Sequence, residues 1–415
     1  MGRTLTPQDA HVLMNILVKE ATGQDSSIQV VDSSTFVSAG EQLLATGTEN
    51  VLNALSLVLG RTFMAVRPYK AKLAIIDALN TGMYTSRLRK ISFYSRESVT
   101  SGDFNTQVKT NFSPSYDNGS NGGASVGSMW VQNQPVPLEL NFAGSSVWQD
   151  STTVYEYQLK TAFRSESEFL QFVSGIMTEK GNDIESQKEA FNRLTLLNFM
   201  AGVYDLNQSG CVRNLTEEFN SKFGTKYTSA QLRSTYLKEF LEFFVAEFKL
   251  ASDYMTHRSA KYHWSPTKTI GGTSYTLLRH TPKANQKAVL FNPLFVEAKS
   301  TVMPEIFNPQ YLDIANFEAV DYWQNFNDPA AINVTPAIPD TAGTEQKDGK
   351  NVSLPYVVGM LFDRDALMID YQLESAETTP LEARKRYRNI WWSFSRNSIN
   401  DFTENAILFI MKDKD

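Results

Sequence analysis

Side-chain chemistry in this 415-residue sequence could concentrate at four histidines, one cysteine, a Gly-Gly pair, an Asp-Arg-Asp triplet and one basic run. The histidines are His11, His257, His263 and His280. His257 and His263 flank Arg258 and Lys261, and no spacing matches a zinc motif, which needs His or Cys ligands at short fixed intervals. Cys211 has no sequence neighbour that would lower its pKa and make it a nucleophile, so it reads as an inert thiol. Gly271-Gly272 is a turn signal. Neither GxxxxGK[ST] nor GxGxxG accompanies it, so it cannot be read as a phosphate cradle. Asp363 and Asp365 lie two apart and would share one face of a strand, as paired acids for proton transfer must. With Arg364 between them and no histidine near in sequence, a turn held by structural ion pairs is the better reading. Arg384, Lys385, Arg386 and Arg388 form the only basic run. Glu382 before it and aromatics after it suit a solvated or intersubunit face, with a nucleic-acid patch as the minor alternative. No catalytic set, cofactor or metal is called for.

Bulk properties agree. The formal net charge is -6, from 39 basic and 45 acidic residues, and gives no electrostatic footprint for tight nucleic-acid binding. A container for DNA need not grip it. The composition, 42% hydrophobic and 20% charged, is that of a globular chain long enough for one large core or two to three smaller ones. A single cysteine forbids an internal disulfide and suits a reducing compartment. The N-terminus lacks the basic head and apolar stretch of a secretory signal, and no apolar run is long enough to span a bilayer. Aromatics reach 12%, which fits either extensive intersubunit contact or a Phe-rich core.

The elements that must position these residues follow from periodicity and punctuation. Thr6-Pro7-Gln8-Asp9 starts a helix with an apolar stripe of Val12, Leu13, Ile16 and Leu17, stopped by Gly23. Residues 24–47 read as an extended arm or linker, and 50–59 as a second short helix. Two β-rich flanks, 86–112 and 126–159, surround SPSYDNGSNGGASVGS at 113–128, a cluster that cannot hold a packed core and reads as a loop tip. A long hairpin leaving the body and an ordinary meander with one loop both fit this pattern. Ser165-Glu166-Ser167-Glu168 opens a helix, Gly181-Asn182-Asp183 interrupts it, and a second helix runs over 184–204. A third starts at Thr228 and continues toward His257 with a stripe of Leu237, Phe240, Leu241, Phe244, Val245 and Phe248. Residues 268–355 return to short strands and loops, including a polar loop at 341–350. Strands are expected around Asp363-Arg364-Asp365, at 389–394 and at 406–411.

Three C-terminal segments carry a resemblance: GMLFDRDALMIDYQ at 359–372, TTPLEARKRYRNIWWSFS at 378–395 and NDFTENAILFIM at 400–411. Together they resemble the end of tailed-bacteriophage major capsid proteins, and the order of elements is similar to the Hong Kong 97-type capsid fold. That resemblance implies an α+β protomer with an N-terminal arm (1–60), a connection into the body (61–84), an extended β-hairpin loop (85–165), a spine helix with peripheral-domain helices (166–260), and axial and peripheral strands (261–415). It implies self-assembly into pentamers and hexamers that close an icosahedral shell around double-stranded DNA, with no enzymatic activity. The implied partners are copies of the chain itself, a separate scaffold protein, a portal, a decoration protein and DNA contacted non-specifically. The implied location is the virion, after synthesis in the host bacterial cytoplasm, with no membrane. Candidate assembly residues are Tyr116, Asn118 and Gly122 at the loop tip, and Asp363, Arg364, Asp365, Arg384 and Arg386 near the C-terminal turns. Residues 1–60 are too short and too apolar for a cleaved scaffolding region, and no local context marks Lys109 as a crosslinking lysine.

The alternatives are an encapsulin-type nanocompartment shell, which shares that fold, a tail or baseplate component, and a soluble hydrolase. The length of the arm and loop favours the virus over the nanocompartment. The lack of repeats argues against a tail fibre.

Overall fold

The computed structural model describes residues 7–22, 30, 33–45, 54, 72–73, 75–79, 87–95, 135–144, 146–208, 210–266, 268–270, 273–294, 296, 316–343 and 345–414. It is a mixed helix and sheet fold in which one long helix connects two hydrophobic cores.

Helix α1 spans Pro7–Thr22, with proline at its start as the sequence suggests. Helix α2, Ser33–Ala45, occupies a stretch expected to be an extended linker. Its apolar positions Phe36, Ala39 and Leu43 keep helical spacing but are diluted by serines, so the pattern is visible only once they are seen buried. The second short helix expected at 50–59 lies outside the described residues apart from Ala54.

Strand β1 is Asp77–Leu79, β2 is Arg87–Phe93, β3 is Pro137–Ala143 and β4 is Ser146–Tyr155. β2 and β3 form an antiparallel ribbon in register from Arg87 opposite Ala143 to Phe93 opposite Pro137. The flank expected as one β-rich arm to Leu159 divides instead. The chain turns at Gly144, whose φ of 115° is open to glycine at little cost, and β4 leaves the ribbon for another sheet. Helix α3, Glu156–Ala162, then replaces the last part of the expected strand.

Helix α4 runs unbroken from Glu166 to Leu206, 41 residues or about 60 Å at the α-helical rise. The Ser165 side chain caps its start by accepting from the Glu168 N–H, and Asn207 closes it in a left-handed conformation. The expected interruption at Gly181 is absent. A glycine inside a helix costs about 1 kcal/mol, too little to break one whose two halves are each buried in a core. Helices α5 (Leu215–Phe223), α6 (Ser229–Arg233) and α7 (Leu237–Thr256) follow, with β5 (Val212–Asn214) preceding α5. Thr228 and Gln231 form a complete capping box, but the helix expected to continue to His257 breaks after Arg233. Tyr236 stacks on Tyr227 with ring centroids 4.0 Å apart, and the intervening Ser234-Thr235 has little helix propensity to resist that pull.

The remaining strands are β6 (Lys268–Ile270), β7 (Thr273–Tyr275), β8 (Gln286–Phe291), β9 (Asn316–Val320), β10 (Ile332–Val334), β11 (Ala337–Pro339), β12 (Gln346–Asp348), β13 (Val352–Leu354), β14 (Val357–Asp363), β15 (Leu367–Thr378), β16 (Tyr387–Asn400) and β17 (Ala406–Ile410). The expected polar loop at 341–350 contains β12, which pairs with β11. Two larger sheets organise the molecule, ordered β5-β17-β14-β8-β9 and β1-β15-β16-β4. β14 is buried along its whole length, as a central strand covered on both faces should be. Gly359 lies in it because a Cβ there would sit 2.6 Å from the Val289 carbonyl of the neighbouring strand.

The larger core joins the five-stranded sheet to α7 and the C-terminal half of α4 through Phe199, Phe240, Phe244, Phe248, Leu361 and Phe409. Each such aromatic contributes roughly 1.5–3 kcal/mol by leaving water. The second core joins α1 and α2 to the N-terminal half of α4 and to Val154, Ile390, Trp392 and Phe394 of the four-stranded sheet. The described N-terminal helices therefore pack on their own chain.

Candidate functional site

Polar and charged groups concentrate where the β2–β3 ribbon meets the body. Alternation along β2 turns Lys90 and Ser92 inward and leaves Arg89, Ile91 and Phe93 outward. Lys90 Nζ ion-pairs with Asp401 and, at 2.5 Å, with Glu404, both on the link between β16 and β17. Asp401 is 1% exposed. It also accepts from the Thr403 N–H at 2.9 Å and from its hydroxyl at 2.6 Å. Arg279 donates to Ser92 Oγ at 2.8 Å and to the Thr403 carbonyl at 3.1 Å, and lies 3.4 Å from Glu404. One face of the ribbon is thus bolted to the link by two cations and two carboxylates.

Burial alone would lower the Lys90 pKa, but the charges and hydrogen bonds of Asp401 and Glu404 outweigh it and hold the value above the ordinary lysine range. Burial pushes Glu404 above the usual carboxylate range, Lys90 and Arg279 oppose this, and the nearby Asp401 charge adds to the rise. The opposite-sign partners do not disagree: two acids compete for Lys90, and Asp401 receives the closer contact.

A polar network continues behind this cluster. Asp363 ends β14, caps the single turn that follows by accepting from the Asp365 N–H at 2.9 Å, and accepts from Thr281 Oγ1 at 2.6 Å. Burial holds its carboxyl above the ordinary range despite those bonds. Asn405 donates to Thr281 Oγ1, and His263 reaches Asn405, the Lys261 carbonyl and the Leu277 carbonyl at 3.0–3.2 Å. Burial depresses the His263 pKa, while the Leu277 and Lys261 carbonyls pull it the other way.

The candidates read from sequence separate spatially. Asp363 is buried inside the protomer, while Arg364 points outward and pairs through Nε with Asp77 Oδ2 at 2.5 Å. Lys287 Nζ takes the other Asp77 oxygen at 2.7 Å, so two cations clamp the start of β1. Burial would raise the Asp77 pKa, but the hydrogen bonds from Lys287 and Arg364 dominate and hold it below the usual value. That contribution to stability is present at neutral pH and disappears only as acid protonates Asp77. Asp365 is exposed and supplies its N–H to Asp363. The Asp363/Asp365 pair is therefore a turn, not an acid pair facing a cleft.

The basic run sits at the turn between β15 and β16: Arg384, Lys385 and Arg386 stand exposed on the turn, and only Arg388 enters β16. Arg386 ion-pairs with Glu156 at 3.0 Å, and Arg388 is 1% exposed with Nη1 donating to the Thr379 carbonyl. Tyr116, Asn118 and Gly122 lie outside the described residues. Cys211 is buried, which pushes its thiol up to about 12 and leaves it protonated and unreactive.

Sequence reasoning missed Lys90, Asp401, Glu404 and Arg279. Asp401 and Glu404 stand in the NDFTENA segment that carried part of the resemblance, but nothing in the sequence points to Lys90, 311 positions away from Asp401. Beside the ribbon lies a cavity of about 580 Å³, lined in part by Phe142, Leu194, Asn198, Ile338, Asn400 and Phe402. No group of acids, His or Cys among the described residues could hold a metal, and no described helix is long and apolar enough to cross a membrane. This is a site built to fix one structural element against another.

Residues 144–410 match the family of Phi29-like phage major capsid proteins, and the chain belongs to that family. It is a structural protein of the virion, which assembles with itself in a shell. Similar solved structures include the capsid of Staphylococcus phage Andhra, at 13% identity and a TM-score of 0.47 over 83% of this chain and 88% of that one. A structure of the head fiber and inner core protein of bacteriophage P68 is similar at 12% identity and a TM-score of 0.48, over 83% and 85% of the two chains. The capsid of Cyanophage P-SCSP1u gives 10% identity and a TM-score of 0.42 over 84% and 90%. No curated protein sequence matches.

Proposed function

We propose that this major capsid protein is a Hong Kong 97-type protomer. It forms pentamers and hexamers of a closed icosahedral shell around the double-stranded DNA of a tailed phage. In this reading residues 1–60 are the arm, the extended loop expected at 85–165 narrows to the β2–β3 ribbon and the residues it brackets because β4 and α3 join the body, and α4 contains the spine. The strands and helices after it make up the peripheral and axial domains. The observation that carries the reading is the root of the ribbon. Its inner face is fixed to the body by the Lys90–Asp401–Glu404 cluster, while its outer face leaves Ile91 52% and Phe93 60% exposed. A two-stranded ribbon is marginally stable alone, so a firm root with an apolar outer face suits a lever that rests on a neighbouring copy.

Heterologous contacts of this kind close into rings, and many weak ones add up through multivalency. Tyr116, Asn118 and Gly122 at the loop tip, with the outward Arg364 and Arg384, are the residues we assign to intersubunit contact. Asp363, Asp365 and Arg386 are assigned to holding the turns that present them. A separate scaffold protein, a portal, a decoration protein and non-specific contact with the packaged DNA complete the proposed set of partners.

Deleting 113–128 tests the assignment. The protomer is expected to keep its circular dichroism and melting temperature, while particle yield on a sucrose gradient falls at least tenfold, because lost avidity multiplies across a lattice. Normal shells from the deletion would remove the loop from the assembly mechanism.

A further inference from the structure

From Tyr254 to Val296 the chain carries no acidic residue, although acids outnumber bases 45 to 39 over its whole length. Arg258, Lys261, Lys268, Arg279, Lys283 and Lys287 all fall in this stretch. A local excess of one sign in a chain of the other sign marks a surface with its own electrostatic character.

The six cations divide into two groups. Arg279 faces Glu404, Lys283 pairs with Asp253 at 2.9 Å, and Lys287 pairs with Asp77 at 2.7 Å, so these three are spent inside the protomer. Arg258, Lys261 and Lys268 stand exposed, and none of them has an ion-pair partner among the described residues. The carboxylates at this end of the molecule are engaged elsewhere. Asp253 takes Lys283, Glu139 takes Arg89 at 2.6 Å, and Asp401 and Glu404 share Lys90. The charge left over is positive.

Backbone bonds fix where these cations stand. The link after α7 is anchored by buried His263 and Trp264, with the Trp264 N–H donating to the Phe402 carbonyl at 2.9 Å. The Ala406 N–H donates to the Tyr262 carbonyl at 2.7 Å, between Lys261 and that anchor. Ser259 and Arg279 exchange both backbone hydrogen bonds at 3.0 Å, which lays the link beside residues 276–281. The Arg258 guanidinium donates to Ser95 Oγ at 2.5 Å, and the Ser95 N–H donates to the Thr276 carbonyl at 2.9 Å. Ser95 thus joins Arg258 to the β6–β7 hairpin, on which Lys268 stands opposite Tyr275. His257 and His280 are exposed beside them.

We infer that Arg258, Lys261 and Lys268 form the surface of this protomer that meets the phosphate backbone of duplex DNA. The inference rests on the reading of the protein as a shell around DNA, and gives the non-specific contact proposed there a place. These cations are spread along the link and the hairpin and do not converge on one point. That spacing suits a repeating polyanion better than a single small anion. Phosphate contacts of this kind position a duplex without reading its sequence. The net charge of -6 on the whole chain keeps the contact weak, as a container that must later release its contents requires.

Fluorescence anisotropy of the full chain with a short mixed-sequence DNA duplex, over a sodium chloride series, tests this. Each phosphate neutralised contributes about -0.9 to the slope of log affinity against log salt. The triple variant Arg258→Gln, Lys261→Gln, Lys268→Gln should lose on the order of tenfold in affinity or more and flatten the slope by about 2.7. Lys261→Gln with Lys268→Gln alone leaves the Arg258–Ser95 bond in place, and should flatten it by about 1.8 with an unchanged melting curve. Lys347→Gln with Lys350→Gln removes the same charge from an exposed segment that includes Asp348, and should leave the slope as it is. An unchanged slope in the Lys261/Lys268 variant overturns the inference, as does an equal loss from the Lys347/Lys350 variant. Displacement of the duplex by polyglutamate at matched charge would assign the surface to an acidic protein partner and overturn it too. Failure of the wild type to bind duplex at low salt would instead sink the proposed DNA contact itself, and this surface with it.

Discussion

Replacing Asp401 by alanine is expected to destabilise the protomer by about 3–5 kcal/mol, because it removes a fully buried, hydrogen-bonded carboxylate and strips the half-buried Lys90 ammonium of a counter-charge. Asp401 is 1% exposed and holds Lys90 while it also caps the Thr403 N–H and hydroxyl. After the change, Lys90 retains only Glu404, a carboxylate that burial already disfavours as an anion. Desolvation of the ammonium then goes largely uncompensated. Thermal denaturation should show a drop of roughly 3–6 °C, since a chain of this length has a large unfolding entropy. The double variant Lys90→Met with Asp401→Asn should recover a substantial part of the loss, since removing both charges avoids leaving either one stranded. A loss under about 1 kcal/mol from Asp401→Ala would place this pair with weak surface salt bridges and remove the ribbon's bolt.

The opposite sign is expected at Arg396. It lies on β16 facing α4, is 1% exposed, and none of its three guanidinium nitrogens has a hydrogen-bond partner among the described residues. Burial lowers its pKa, and the charges of Glu374 and Glu185 act on it only through space. Its direct compensation is the faces of Tyr371 and Phe394, 5.6 and 5.4 Å away. Cation–π contacts at such range are worth about 0.5–2 kcal/mol, less than the several kcal/mol that burying a guanidinium costs. Methionine fills a similar volume without the charge. Arg396→Met should therefore raise stability by about 1–3 kcal/mol in urea titration, with an unchanged m-value. A destabilised variant would mean that the guanidinium is satisfied in solution. The two substitutions contrast a buried charge that has its counter-charge with one that does not.

Elements with strong local signals were legible in the sequence. Proline at the start of α1, the Ser165 cap of α4, the Thr228 capping box and the apolar runs of β14 and β17 all mark real element ends or cores. Misreadings arose where tertiary packing overrode a local cue. Gly181 does not break α4, because cores grip the helix on both sides of it. Ser33–Ala45 is a helix because Phe36 and Leu43 are covered, although its serines disguise the stripe. The 126–159 flank splits at Gly144 because its second half finds β16. The root of the ribbon was not legible at all, since a lysine alternating with apolar residues in a strand looks like any solvated position until Asp401 and Glu404 meet it.

The family assignment covers residues 144–410 and makes this a shell protein; the larger claim is that contacts between copies of the chain close the shell, and that the proposed scaffold steers those contacts without replacing them. Electron microscopy of the purified chain over a concentration series tests that claim most directly. Above a threshold concentration, images should show closed particles of uniform diameter with five- and six-membered clusters on their surface. A compact monomer at every concentration, with no particles in the field, would contradict it.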